Sequence, residues 1–143
     1  MTRTTITIAM LLITITTTFA QKVKSTLYKG SIDNMPVTLY LKTIPNECGA
    51  PDNYMAMYRY DKKSNWLQLE VATNEQHNWC MTEVGFTGVM ILKTAAQTAT
   101  GIWISPDGKR QLKVSLKQQP MADPEQKKME DKLEQVNYEN NDC

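Results

Sequence analysis

His77 is the only histidine, and it lies in the polar run TNEQHN at 73–78. As a general base it would need a serine or cysteine nucleophile within hydrogen-bond reach. No GxSxG elbow occurs, and Ser25, Ser31, Ser64, Ser105 and Ser115 all fall in strand or turn contexts. His77 therefore reads as a solvated loop residue. The other acid–base candidates are Glu70 and Glu83, on neighbouring predicted strands. Facing inward together, they could serve as the acid and base of a carboxylate-dependent hydrolase. Each sits between apolar neighbours in an alternating strand, a pattern that places a carboxylate outside. No phosphate-cradling glycine loop, EF-hand or HExxH pattern is present, and no Cys/His spacing suits a metal. The sequence thus predicts no catalytic residue, no metal site and no cofactor, and points away from an enzyme.

The aromatic residues are a better lead. Trp66, Trp79 and Trp103, with Tyr54, Tyr58 and Tyr60, all fall on predicted strands. Inward aromatics can fill a core, or they can line an apolar cavity with polar tips for orientation. A ligand pocket is expected around Trp66, Trp103, Tyr58 and Tyr60. Gly101 lies two residues before Trp103, a spacing that favours close packing of the indole.

Hairpins must position these residues. STLYKGSI, Asp33-Asn34 and MPVTLYLKT form the first, with Val37, Leu39 and Leu41 alternating against Thr38, Tyr40 and Lys42. Gly30 inside its first strand suggests a bulge or a close approach by another segment. The loop IPNECGAPDN leads to the second hairpin, YMAMYRY-DKKS-NWLQLEV, where both faces of residues 54–60 are largely apolar and alternation does not choose the inward one. WCMTEV, Gly85-Phe86 and TGVMILK make the third, and TGIWIS, Pro106-Asp107-Gly108 and KRQLKVSL the fourth. Eight strands in sequential antiparallel order predict an all-β, up-and-down meander, closed into a barrel or barrel-like, with a two-sheet sandwich as the alternative. After Pro120, Asp123-Pro124 and Gln126 supply a helix start, and Met129, Leu133 and Val136 share one face. A short C-terminal helix over about 124–136 follows, docked through that stripe or left as a solvated tail.

The chain ends place this domain. Arg3, the apolar centre IAMLLITI and the run to Thr18-Phe-Ala20 describe a signal peptide over 1–20. A β-domain over 21–121 and an acidic helix and tail over 122–143 complete the division. The protein is expected to be exported, periplasmic or secreted, with no transmembrane segment after signal removal. Residues 21–121 carry twelve basic and eight acidic side chains, and residues 122–143 three basic and seven acidic. So balanced a chain argues against nucleic acid as a partner. In an exported protein cysteines pair by default. Of three possible pairings Cys48 with Cys80 is favoured, because both fall in the β-rich region, and the closed loop would stabilise by roughly 3–4 kcal/mol. Cys143 would then be a free thiol or an intermolecular link.

The runs LYKGSIDNMPVTLYL, YMAMYRYDKKSNWLQLE and TGIWISPDGKRQLKVSL resemble a group of small uncharacterised exported bacterial proteins with a Tyr-Lys-Gly-x-Ile start, a Tyr-x-Tyr hairpin and a late Gly-x-Trp. The resemblance covers most of residues 27–117 and implies a β-meander and export, without catalytic residues. Gly101-Ile-Trp103 is also similar to the Gly-x-Trp of lipocalin-type barrels, where it belongs to the first strand rather than the seventh. The expectation is a binding module for a small apolar molecule in the barrel or for a protein at the loops, as in hydrolase inhibition. A hydrolase and a structural envelope component are the alternatives.

Overall fold

Alternating strands joined by short turns close on themselves here. A computed structural model describes residues 22–141. The predicted signal peptide, Gln21 and Cys143 lie outside the described residues. Eight strands run β1 (Lys24–Ile32), β2 (Met35–Ile44), β3 (Asn53–Tyr60), β4 (Leu67–Thr73), β5 (Asn78–Glu83), β6 (Val89–Ala95), β7 (Thr98–Ile104) and β8 (Gln111–Gln119). Each pairs antiparallel with its neighbour, and β8 pairs with β1, so the sheet is a closed up-and-down barrel rather than a sandwich. Closure removes both free edges.

The inward phase of each strand fills the barrel. Tyr28, Ile32, Val37, Leu39, Leu41, Ala56, Tyr58, Leu69, Met81, Met90, Leu92, Ala99, Val114 and Leu116 form one buried cluster. Trp79 and Trp103 pack against it. Eight strands enclose a space that side chains alone can fill, and these large residues do so. Gly30 and Gly101 let neighbouring backbones close up. A Cβ at Gly30 would strike the Ser115 carbonyl, and one at Gly101 the Ile91 carbonyl. Gly30 thus marks the predicted close approach, within uninterrupted ladders to β2 and β8.

The helix α1 (Asp123–Asn141) is longer than the predicted 124–136 and docks on the outer wall. Met129, Leu133 and Val136 are buried against Leu27, Tyr40 and Met57, which point outward. This explains the two apolar faces of β3. Tyr54, Ala56, Tyr58 and Tyr60 face the barrel interior, while Met55 and Met57 lie in the layer beneath α1. The helix end is also tied down, since Gln68 Nε2 donates to Asn137 Oδ1 at 2.9 Å and Asn141 Nδ2 donates to Gln68 Oε1 at 3.3 Å.

The turns after β1, β3, β5 and β7 share one end of the barrel, here the turn end. The loops after β2, β4 and β6 share the other. The expected Cys48–Cys80 bridge is not formed: both cysteines are free and exposed. Cys48 lies in the loop between β2 and β3, whereas Cys80 points outward from β5, with β4 between β3 and β5. Adjacent strands are ~4.8 Å apart, so β3 and β5 are separated by two spacings, about 9.6 Å, beyond the roughly 7 Å of Cα separation that a disulfide spans.

Candidate functional site

Within β5, Trp79, Met81 and Glu83 share a phase, and that phase faces inward. Glu83 is therefore carried into the barrel, only 4 % exposed, near the turn end. It becomes the acceptor for three donors. The Tyr58 hydroxyl and Trp103 Nε1, the latter at 2.8 Å, both donate to Oε1. Thr87 Oγ1 donates to Oε2 at 2.5 Å. A buried carboxylate needs this degree of satisfaction to be tolerated. Gly88 makes the arrangement possible, because a side chain there would collide with the Trp103 indole. The glycine that seats the indole is thus Gly88 on the facing turn, while Gly101 serves strand approach.

Three of the four predicted pocket residues converge on this hub. Tyr58 and Trp103 bind Glu83 directly, and the Tyr60 ring meets Tyr58 edge-on at 5.7 Å between centroids. Burial, reinforced by the Glu83 contact, pushes the Tyr58 phenol far above the ordinary phenol range. Burial also raises the Tyr60 phenol, with the neighbouring Tyr58 hydroxyl pulling partly back. These side chains are packed into the core, and the described cavities lie outside the barrel wall or at its rim. The hub is therefore a structural brace at the turn end.

Trp66 lies elsewhere. It precedes β4 on the outer wall and packs into the layer beneath α1. The Arg59 guanidinium sits over its ring, 5.0 Å from the centroid. Both border an open cleft of about 750 Å³ between α1 and strands β1 to β3. Glu70 and Glu83 do not meet. Glu70 is exposed and pairs with Thr82, whereas Glu83 pairs with Leu69 on the inner face. His77 is exposed in the β4–β5 loop at φ 59°. Among the described residues no group of three or more His, Cys, Asp or Glu could hold a metal ion.

The turn end has its own character. Phe86, in the turn between β5 and β6, is 57 % exposed and adopts a positive φ of 54°. Its amide donates to the Glu83 carbonyl at 2.8 Å, and Glu83 N donates to Gly88 O at 2.9 Å, so the turn is fixed to the hub below. Across the barrel mouth, Met35 is 39 % exposed. A shallow hollow of about 330 Å³ lies there among Met35, Pro36, Tyr60, Lys62 and Lys63. The Ser105–Arg110 turn is held by Ser105 Oγ donating to Asp107 Oδ1 at 2.6 Å and by Arg110 N donating to Ser105 Oγ at 3.0 Å. The Ser105 hydroxyl, with the Lys109 amide, holds the Asp107 carboxyl below the usual carboxylate range.

Fold and site together define a closed eight-stranded meander barrel with a filled interior and an external helix. Comparison with protein-family profiles, curated proteins and solved structures gives no match for this chain.

Proposed function

We propose that the protein is an exported, non-enzymatic binding module whose partner is another protein, engaged at the turn end of the barrel. The observation that carries this reading is Phe86. A large aromatic residue at positive φ is conformationally costly and uncommon. Here it is held out into solvent by a turn pinned to a buried, fully bonded carboxylate. Exposed aromatic anchors on rigid supports are what protein interfaces use for most of their binding energy. The packed interior supports the same choice, because it leaves little room for an apolar guest. Lys62, Lys63 and Arg110 stand at the mouth beside Asp33, Asp61 and the Lys109–Asp107 pair, so the rim is of mixed charge and a partner with an apolar socket for Phe86 fits best. Inhibition of a hydrolase, with the rim seated in a substrate cleft, is one form this takes.

The test uses a photo-crosslinking residue in place of Phe86 and, separately, in place of Thr100, which is exposed on the barrel wall. Position 86 should trap one protein of defined mass in the exporting cell, and position 100 should not. Phe86→Ala should then bind that protein at least tenfold more weakly. The same adducts from both positions, or none from 86, would overturn the proposal.

A further inference from the structure

A row of cations crosses the outer wall from β8 to β3, and Lys29 and Arg59 of that row border the cleft. Lys117 on β8 stands opposite Lys29 on β1, Lys29 opposite Thr38 on β2, and Thr38 opposite Arg59 on β3. Like charges directly opposite one another on a sheet repel. No carboxylate answers them by ion pairing. Among the described residues the one ion pair is Lys109–Asp107, at 4.0 Å in the turn after β7. Lys128 and Lys132 of α1 line the other side of the cleft, with Lys132 Nζ donating only to Gln135 Oε1, at 2.9 Å. Two carboxylates, Glu125 and Asp131, also border it, and Asp61 accepts the Thr38 hydroxyl at 2.7 Å. Lys29 and Arg59 on the wall and Lys128 and Lys132 on α1 thus outnumber Glu125 and Asp131 on α1 and Asp61 beside Thr38 by four to three.

One donor there is left unsatisfied. Arg59 Nε is buried and has no hydrogen-bond partner among the described residues. An unmade hydrogen bond at a charged buried group is expensive, and a small shift of the Arg59 side chain toward an acceptor in the cleft would relieve it. The Trp66 ring, 5.0 Å from the guanidinium carbon, holds the cation beside the cleft, and a guanidinium matches a planar, two-oxygen acceptor. Leu27, Trp66 and Met129 supply apolar walls beside it. The cleft follows α1 from Pro124 to Gln135, about 17 Å at helical rise. It is therefore long, partly apolar and positively charged.

From this arrangement we infer that the cleft between α1 and β1–β3 binds a single-chain amphiphile with a carboxylate head, of the fatty-acid class. Arg59 takes the carboxylate, Lys29 and Lys132 add long-range attraction, and the chain lies along Leu27, Trp66 and Met129. The site lies on the outer wall, touches the connection after β3 only through Ser64 and Trp66, and does not depend on the protein-binding reading.

Dodecanoate, kept below its micellar concentration, is the probe, with calorimetry and tryptophan fluorescence as readouts. Saturable one-site binding is expected, at least tenfold tighter than that of dodecanol, which lacks the charge. Arg59→Gln should weaken dodecanoate at least tenfold, since a hydrogen bond to a charged group contributes that much. Trp66→Phe should remove the fluorescence response while calorimetry still registers binding. Should Arg59→Gln fail to fold by circular dichroism, the double variant Lys29→Gln/Lys132→Gln carries the test, and at least a threefold loss is expected. Phe86→Ala should leave dodecanoate binding unchanged, which separates the two sites. Absence of saturable binding, equal binding of dodecanol, or full affinity in the folded cleft variants would overturn the inference.

Discussion

Glu83 shows what one residue asks of its surroundings. Both Tyr58 and Trp103 donate to Oε1 and Thr87 donates to Oε2. A glutamine can reproduce that pattern, with its carbonyl oxygen at the Oε1 position and its amide donating to the Thr87 hydroxyl. Glu83→Gln should therefore change stability by less than about 1 kcal/mol. Glu83→Ala strands the Tyr58 hydroxyl and the Trp103 N–H and opens a cavity, which should cost about 3–4 kcal/mol. Urea denaturation of both variants checks the contrast, and equal losses would mean that the charge, not the bonding pattern, sustains the hub. The hub was partly legible in the sequence. Tyr58, Tyr60 and Trp103 were recognisable as strand aromatics that belong together, although alternation did not choose the inward face of residues 54–60. Glu83 was expected outside, because charge was weighed above phase. Its phase with Trp79 and Met81 was the available signal, and the outward phase of the same strand, Asn78, Cys80 and Thr82, is small or polar. Trp66 was misplaced in the same way, because aromatic character was weighed above phase. It shares the phase of Gln68 and Glu70, which faces outward, while Leu67 and Leu69 face in.

At the scale of elements, α1 and the β3–β4 pair belong together. Only three residue pairs join β3 to β4, from Ala56–Leu69 to Tyr58–Leu67, whereas eight join β2 to β3. The helix packs over β3 and β4 and so braces the shortest ladder in the barrel. Leu133 is 1 % exposed at its centre. Leu133→Ala should destabilise by about 3 kcal/mol, which lowers the midpoint by about 10 °C for a domain of this size. Deleting residues 122–143 should lower it further, and an unchanged melting temperature in either case would refute the bracing role. Glu130 adds a small pH dependence. The Gln126 amide, helped by Ser25, holds its carboxyl below the usual range, so its support is present above about 4.5 and fades as the pH falls through the lowered value. The apolar stripe Met129, Leu133, Val136 was readable from its spacing, as was the helix start. Its extension to Asn141 was not, because YENN carries no apolar signal. That last turn is held by side-chain amides, with Asn140 Nδ2 donating to the Val136 carbonyl at 2.8 Å and Gln68 reaching across from β4.

For the whole molecule, closure was foreseeable from four successive hairpins, since a meander of eight strands loses its edges only by joining first to last. What alternation could not reveal is how completely the interior fills, because that depends on which large residues meet at each level of the barrel. The tyrosines make the filling measurable. Burial raises the phenols of Tyr28, Tyr58 and Tyr60 inside the barrel and of Tyr40 beneath the helix. A phenol whose folded pKa is raised stabilises the fold fully below its unfolded value, near 10, and that stability is lost as the pH climbs past it. The unfolded chain would then release protons that the folded chain still holds. The barrel should accordingly resist alkali up to about pH 10 and unfold cooperatively above it. Tyrosinate absorbance at 295 nm from these four residues should rise in step with the loss of the β-sheet circular dichroism signal, not before it. Glu83→Ala, which loosens the hub around Tyr58, should bring that transition to lower pH. Complete ionisation of all six tyrosines with the dichroism intact would show that solvent reaches the barrel interior, and would reopen it as a place for a ligand.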